Sequence, residues 1–177
     1  MNKKLIFLDG DGTLWYPYKT KRTQKPHWIY HDETTKHDYL NHLELTPGTK
    51  EALEYFVRKD VKLVVISASP YDPETAVKEI KERLTHFKIA DLFYDYRASQ
   101  GDEPDGKAAI MLDIIQELGL SKQDALMVGD SYFYDYLPAK QNGIDAFLIK
   151  SESARLPEVL PDDLRLINEM YDLTTIL

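Results

Sequence analysis

The sequence contains no cysteine and no long hydrophobic run, and each absence excludes a class of protein. Without cysteine there can be no disulfide bond, no thiolate metal site and no cysteine nucleophile. The apolar run nearest the N-terminus, Leu5–Leu8, is too short for a signal peptide or a membrane span. We therefore expect a cytoplasmic protein that has no membrane partner.

An excess of positive charge is also missing. Lysine and arginine number 22 against 30 aspartate and glutamate residues, which gives a net charge of −8. A nucleic-acid partner is therefore not expected, because nonspecific binding requires cations that displace counterions from phosphates. The length of 177 residues, with 43% hydrophobic and 29% charged residues, predicts one folded domain over residues 1–177.

Short apolar runs alternate with segments of helical periodicity. The runs predict five buried strands, at Lys4–Leu8, Lys62–Ile66, Leu92–Tyr96, Ala125–Val128 and Ala146–Ile149. Because strands that alternate with helices form parallel sheets, we expect an α/β fold, a three-layer Rossmann-like sandwich around a central parallel sheet. Ligands of such sheets bind beyond the carboxyl ends of the strands.

Helix signals lie between these strands. Thr46 predicts an N-cap before an apolar stripe that ends at Val57, and Asp72 predicts a second N-cap. The clearest stripe ends before Gly119, a typical helix stop, and is formed by Ile110, Met111, Ile114, Ile115 and Leu118. Two segments break the alternation, namely an insert after the first strand (15–45) and a C-terminal extension (150–177).

The first predicted strand leads into the pentad Asp9-Gly10-Asp11-Gly12-Thr13. Side chains along a strand alternate between its two faces, so two carboxylates two residues apart can point into one cleft. The glycines allow backbone amides to approach an anion closely. An isolated Asp-Gly pair is more often a simple turn, but the whole pentad directly after a buried strand favours a functional site.

This pentad resembles the first motif of the haloacid dehalogenase (HAD) superfamily, Asp-x-Asp-Gly-Thr. Further motifs occur in the family's order, and the resemblance covers roughly residues 4–150. It implies that Asp9 is a nucleophile that attacks phosphorus. It also implies that Asp11 is a general acid and base, which protonates the leaving oxygen and later activates water.

The resemblance assigns phosphate binding to Gly10, Ser67, Ala68 and Lys107. Ser67 comes at the end of the second predicted strand, where the family places a hydroxyl donor, and Ser69 is a rival for this role. Lys107 would neutralise the nucleophile and the phosphate, and it stands at a helix start, where the helix dipole disfavours a cation. Taken singly, a serine or lysine at such a position is more often a turn or surface residue.

The resemblance also implies a Mg²⁺ site. Asp130 follows the fourth predicted strand directly after a glycine, and Asp135 comes five residues later, which matches the family's acidic motif. The metal would be held by Asp9, Asp130 and the backbone carbonyl of Asp11, since a hard cation prefers oxygen ligands. Asp135 would bind the metal through water or orient the lysine of the site.

Within the superfamily the chain is similar to the magnesium-dependent phosphatase family, a branch without a cap domain. Trp15 follows the first motif as it does there, and the insert 15–45 is too short for a full cap. A Gly-Asp-Ser sequence at the fourth motif departs from the paired acids of that family. The resemblance implies a Mg²⁺-dependent phosphomonoesterase with an aspartyl-phosphate intermediate, acting as a monomer or homodimer on a phosphorylated small molecule or a phosphotyrosine-like substrate.

Two other functions stay open, a carrier-linked phosphoryl- or acyl-loading domain and a noncatalytic phosphate-binding domain. The pair of carboxylates in the pentad disfavours the second, because adjacent negative charges repel phosphate. In the insert 15–45, Trp15, Tyr16 and Trp28 are candidate specificity residues that could stack on a substrate. The insert could equally be a hairpin that only packs on the core.

Overall fold

The computed structural model describes residues 3–100 and 105–177. The strands and helices in chain order are β1 (Leu5–Leu8), β2 (Trp15–Pro17), β3 (Leu43–Leu45), α1 (Thr49–Arg58), β4 (Lys62–Ser69), α2 (Pro73–His86), β5 (Asp95–Gln100), α3 (Gly106–Glu117), β6 (Ala125–Gly129), α4 (Leu137–Gln141), β7 (Asp145–Ile149), β8 (Leu166–Ile167) and α5 (Leu173–Ile176). Short 3₁₀-helices lie at Pro26–Tyr30, Tyr39–His42, Ala90–Leu92, Lys122–Asp124 and Met170–Asp172, and a π-helix lies at Tyr132–Tyr136.

Six of the strands form one parallel sheet in the order β5-β4-β1-β6-β7-β8. The first strand is central, and Leu8 at its end pairs with Val65 of β4 and with Val128 of β6. The loops that follow β1, β4 and β6 therefore leave the sheet at the same edge. This sheet confirms the predicted α/β fold and places the pentad after β1 beside the acidic motif after β6.

The central strand is buried on both faces, and its side chains divide the core in two. Ile6 and Leu8 pack with α1, α2 and the C-terminal extension, through residues such as Leu53. Leu5 and Phe7 point the other way and pack with α3 and α4. A parallel sheet covered on both faces is the predicted three-layer sandwich, and it explains why the strand sequences are continuously apolar.

Two strands, β4 and β5, differ from the prediction by more than one residue at an end. β4 continues to Ser69, because its polar end pairs with β5 through Ser67 and Ala68. β5 begins at Asp95, three residues later than predicted, since Leu92 ends a 3₁₀-helix. The apolar residues predicted that β4 and β5 exist but not where they end, because backbone pairing between the two strands continues where their side chains become polar.

The helix signals were partly wrong. The N-cap of α1 is Gly48 rather than Thr46, and the Thr46 hydroxyl donates instead to the carbonyl of Thr13 at 2.7 Å. Val57 is 41% exposed, so the buried stripe of α1 ends at the residue before it. By contrast, Asp72 caps α2 by accepting from a backbone amide, as predicted.

Both segments outside the alternation contribute strands. In the insert 15–45, β2 and β3 pair as an antiparallel hairpin, and no full cap domain is formed among the described residues. The C-terminal extension adds β8 to the edge of the main sheet and buries Ile167, Met170 and Leu173 in the core on the side of α1. Within residues 3–100 and 105–177, no helix is long and apolar enough to cross a membrane.

Candidate active site

Four charged side chains meet at the edge of the sheet where β1 and β6 end. The ammonium of Lys107 on α3 lies 2.5 Å from Oδ1 of Asp9 and 2.6 Å from Oδ1 of Asp135. The side chain of Lys107 is only 4% exposed, so these ion pairs are shielded from water. Asp135 lies in the π-helix after β6 and also accepts a hydrogen bond from the amide of Ser131.

Asp130 completes an acidic cluster with two of these residues. Carboxylate oxygens of Asp9, Asp130 and Asp135 all lie within 4.8 Å of one another. Across the described residues, Asp130 has no hydrogen-bond or ion-pair partner of its own. A set of three carboxylate oxygens, one of them unpaired, fits a hard divalent cation such as Mg²⁺.

Gly12 allows Asp130 to reach the cluster. Its φ of +84° favours glycine, and a Cβ atom there would collide with the Asp130 carboxylate. Gly10 is restricted in the same loop, because a Cβ atom would lie 2.7 Å from the indole of Trp15. The glycines of the pentad therefore have packing roles beyond the approach to an anion that was predicted.

Burial dominates the electrostatics of the cluster. It raises the pKa of Asp9 from 3.8 to about 7, although Lys107 opposes the shift and Asp135 adds to it. Burial also raises the pKa of Asp130 well above its usual value, and the charge of Asp9 raises it further. For Lys107, burial lowers the pKa, but the carboxylates of Asp135 and Asp9 outweigh burial and the pKa is raised. One ammonium thus serves several carboxyl groups, and a bound cation would favour their ionised forms.

The Asp11 carboxylate lies outside this cluster. Its Oδ1 accepts hydrogen bonds from Nε1 of Trp15 at 3.0 Å and from the hydroxyl of Tyr30 at 2.6 Å. Burial raises the pKa of Tyr30 well above its usual value, and the negative charge of Asp11 raises it further. The Tyr30 hydroxyl therefore keeps its proton and acts as a donor to Asp11.

The predicted phosphate-binding residues lie at the same edge. Ser67 and Ala68 stand two and three residues beyond Val65, which pairs with the end of β1. Both are half-buried, and the Ser67 hydroxyl makes only a long contact of 3.5 Å with the carbonyl of Ala68. The hydroxyl of its rival Ser69 accepts from the amide of Tyr71 instead. Ser67 is thus the serine whose hydroxyl is less engaged.

The three aromatic candidate residues of the insert differ in how accessible they are to a ligand. Trp15 and Tyr16 are 1% and 4% exposed, so neither offers a free ring face to a ligand. Trp28 donates to the hydroxyl of Thr20 and lines a cavity of about 140 Å³ on the insert together with Tyr18. The position of Trp15 supports a role beneath Asp11 rather than direct stacking on a substrate.

Sequence reasoning missed several contacts within and to the pentad, among them those of Thr13, Arg22 and Tyr30. Thr13 donates to Oδ2 of Asp9 at 3.4 Å, and its place in the motif was a sufficient signal. Nε of Arg22 donates to the carbonyl of Gly12 at 2.9 Å. The hydroxyl of Tyr30 donates to the carboxylate of Asp11. The contacts of Arg22 and Tyr30 have no signal in the sequence, because both depend on how the insert folds over the loop after β1.

Comparison with known proteins identifies the family. A family model for haloacid dehalogenase-like hydrolases matches residues 17–143. No match was found among curated proteins.

Solved structures share the fold over nearly the whole chain. A predicted phosphoglycolate phosphatase from Haemophilus somnus 129pt has a TM-score of 0.73 at 20% identity, covering 99% of this chain and 98% of that one. An uncharacterized protein from Listeria monocytogenes serotype 4b has a TM-score of 0.70 at 24% identity, covering 97% and 95%. A HAD phosphatase from Thermococcus onnurineus has a TM-score of 0.68 at 20% identity, covering 98% and 97%. Since the family match spans most of the sequence and the parallel sheet agrees with it, the chain belongs to the haloacid dehalogenase-like hydrolases.

Proposed function

We propose that this hydrolase is a Mg²⁺-dependent phosphomonoesterase that uses Asp9 as its nucleophile and Asp11 as its general acid and base. The observation that carries the proposal is the ion pair between Asp9 and Lys107 inside a carboxylate cluster. A carboxylate can approach a phosphate dianion only if positive charge offsets their mutual repulsion. The buried ammonium of Lys107 supplies such charge beside Asp9. The phosphatases among the solved structures of this fold support the same reaction class.

The residues that would hold Mg²⁺ are Asp9 and Asp130 through their carboxylates and Asp11 through its backbone carbonyl. Asp135 lies within reach of the same ion, and its contact with Lys107 also supports the role of orienting that lysine. When bound, the cation neutralises charge on the transferring phosphoryl group. The unpaired carboxylate of Asp130 and the raised pKa values of Asp9 and Asp130 support such a site.

In the first step, a carboxylate oxygen of Asp9 attacks phosphorus while the bond from phosphorus to the leaving oxygen breaks. The leaving oxygen takes the proton of the Asp11 carboxyl group. Lys107 holds the attacking carboxylate in place and carries positive charge at the site. Gly10, Ser67 and Ala68 lie at the same edge of the sheet and supply donors to the phosphoryl oxygens.

In the second step, water attacks the phosphorus of the aspartyl phosphate. The Asp11 carboxylate accepts a proton from that water, and the bond between phosphorus and Asp9 breaks. Inorganic phosphate leaves, Asp9 is again a carboxylate and Asp11 is again protonated. The substrate is a phosphorylated small molecule or a phosphotyrosine-like group, as the open edge without a full cap suggests.

The test is hydrolysis of 4-nitrophenyl phosphate by the full chain with Mg²⁺, with EDTA, and by the Asp9→Asn variant. We expect turnover that needs Mg²⁺ and that disappears in Asp9→Asn. Turnover that survives the substitution would reject Asp9 as the nucleophile. A folded wild type without turnover on a panel of small phosphates would favour the carrier-linked or noncatalytic alternative.

A further inference from the structure

The two hydrogen bonds to Asp11 fall on the same carboxylate oxygen. Nε1 of Trp15 and the hydroxyl of Tyr30 both donate to Oδ1, at 3.0 and 2.6 Å. Within the part of the chain that the structure describes, no hydrogen bond is made to Oδ2. The carboxylate is therefore fixed through one oxygen and leaves the other available for a proton.

Tyr30 is itself held by neighbours from two further elements. Its ring lies edge-on to Tyr39, with ring centroids 5.2 Å apart. The guanidinium of Arg83 on α2 lies 4.7 Å from the Tyr30 ring centre and 5.1 Å from that of Tyr39. Arg83 is only 6% exposed, and a desolvated cation over an aromatic ring is a strong contact. The core helix α2 thus fixes a tyrosine of the insert.

We propose that Tyr30, braced by Arg83, is the positioning residue that aims the acid and base group of Asp11 at the leaving oxygen. The inference rests on the proposed phosphomonoesterase function. It gives the insert 15–45 a task in the reaction itself. Tyr30 keeps its own proton throughout and acts only on the orientation of the neighbouring carboxyl group.

The physical reason lies in the charge that develops on Asp11. As its Oδ2 gives a proton to the leaving oxygen, Asp11 becomes a carboxylate, and hydrogen bonds to Oδ1 become stronger. An interaction that strengthens along the reaction lowers its barrier, whereas one that is constant does not. The benefit is largest for a leaving group that cannot depart without a proton.

The test compares two substrates of different leaving-group basicity, phenyl phosphate and 4-nitrophenyl phosphate. Their kcat/KM values report the first step alone, since formation of the aspartyl phosphate releases the leaving group. We expect Tyr30→Phe to lower kcat/KM about tenfold for phenyl phosphate, the effect of one hydrogen bond to a charged group. For 4-nitrophenyl phosphate, whose leaving group needs no proton, we expect less than about a twofold loss.

Tyr39→Phe is the matched control. It removes a hydroxyl from the same aromatic cluster, but one that contacts Glu82 and not Asp11. It should change both kcat/KM values less than about twofold. A double-mutant cycle adds a second readout: in an Asp11→Asn background, Tyr30→Phe should have no further effect on phenyl phosphate, because the group it positions is gone.

The outcomes separate the inference from the function on which it rests. Equal losses on both substrates would reduce Tyr30 to a packing residue, and a gain in rate would show that it restrains Asp11. Either result overturns the inference while Asp9-dependent turnover stands. Absence of Asp9-dependent turnover in the wild type overturns both. Thermal unfolding checks that the Tyr30→Phe protein is folded. If it is not folded, the Arg83→Met variant is tested in its place, and we expect it to show the same difference between the two substrates.

Discussion

Lys107 and Asp9 are 98 positions apart in the sequence and form an ion pair of 2.5 Å in the folded protein. The same ammonium also contacts Asp135, so a single buried cation on α3 joins the loop after β1 to the π-helix after β6. Removing one member of such a network leaves the other charges buried and unpaired.

Replacement of Lys107 by methionine should affect stability and activity together. Methionine keeps most of the length of the side chain, but the carboxylates of Asp9 and Asp135 lose their shared cation. We expect a loss of about 3 kcal/mol in the free energy of unfolding, measured by denaturant titration in EDTA at neutral pH. We also expect kcat/KM for 4-nitrophenyl phosphate to fall about 10²–10³-fold.

Exchange of the surface residue Lys122 for methionine is the control, since Lys122 lies in a short 3₁₀-helix before β6, at the opposite end of that strand from the cluster. It should leave stability within about 0.5 kcal/mol of the wild type. A Lys107→Met protein as stable as the control would contradict the burial and pairing of this ammonium.

Stability of the metal-free protein should fall as the pH rises from about 4.5 to about 7. The pKa of Asp9 is raised from 3.8 to about 7, so the folded state binds its proton more tightly than the unfolded state does. The resulting stabilisation is complete below the pKa that Asp9 has in the unfolded state. It is lost as the pH rises through the pKa that Asp9 has in the folded state, and the free energy of unfolding falls by on the order of 2–4 kcal/mol. Urea titrations in EDTA at several pH values measure it.

Two controls accompany this pH series. The slope should be smaller in Asp9→Asn, which cannot ionise at that position, and Mg²⁺ should raise the melting temperature more at pH 8 than at pH 5.5, because metal ligands must be deprotonated. Carboxyl groups whose pKa is lowered, such as Asp124 with a pKa of about 2, act below this window. A metal-free protein whose stability rises between pH 4.5 and 7 would show that burial does not dominate at Asp9.

Gly12→Ala and Gly119→Ala form a matched pair that separates backbone strain from the geometry of the site. Both glycines have positive φ, +84° and +63°, so alanine should cost about 1 kcal/mol at each. A Cβ atom at Gly119 has open space within 4 Å, whereas one at Gly12 collides with the Asp130 carboxylate. Only Gly12→Ala should weaken Mg²⁺ binding, measured by calorimetry. Equal Mg²⁺ affinity in the two variants would remove Asp130 from the metal site.

Thr46→Val should destabilise the protein although the two side chains have nearly the same shape. The Thr46 hydroxyl is buried, donates to the carbonyl of Thr13 and contacts the hydroxyl of Thr49. Loss of a hydrogen bond to a buried carbonyl should cost about 1–2 kcal/mol. Thr46→Ser, which keeps the hydroxyl, should lose less, and a Thr46→Val protein as stable as wild type would show that the loop after β1 does not depend on this contact.

Much of the fold was predictable because its signals are local. Continuous apolar runs identified all five long strands of the sheet, and Asp72 identified the start of α2. The errors came where a distant partner decides. β4 extends to Ser69 because β5 lies beside it, and Thr46 does not cap α1 because its hydroxyl is used by Thr13.

In the candidate site, too, some features could be predicted from local signals and others depend on distant residues. Through the resemblance of its motifs, the sequence alone predicted that Asp9, Asp11, Lys107, Asp130 and Asp135 bear the chemistry. It also predicted where they meet, because a parallel sheet brings the ends of its strands to one edge.

Only the tertiary structure decided how these groups are paired. It brought the carboxylate of Asp135 into contact with the ammonium of Lys107, and it left Asp130 without a hydrogen-bond or ion-pair partner within the described residues. It also turned the insert inward, so that Tyr30 reaches Asp11. The reason is physical: spacing along a chain sets which edge of the sheet a residue occupies, but burial and hydrogen bonds between distant segments set the direction in which its side chain points.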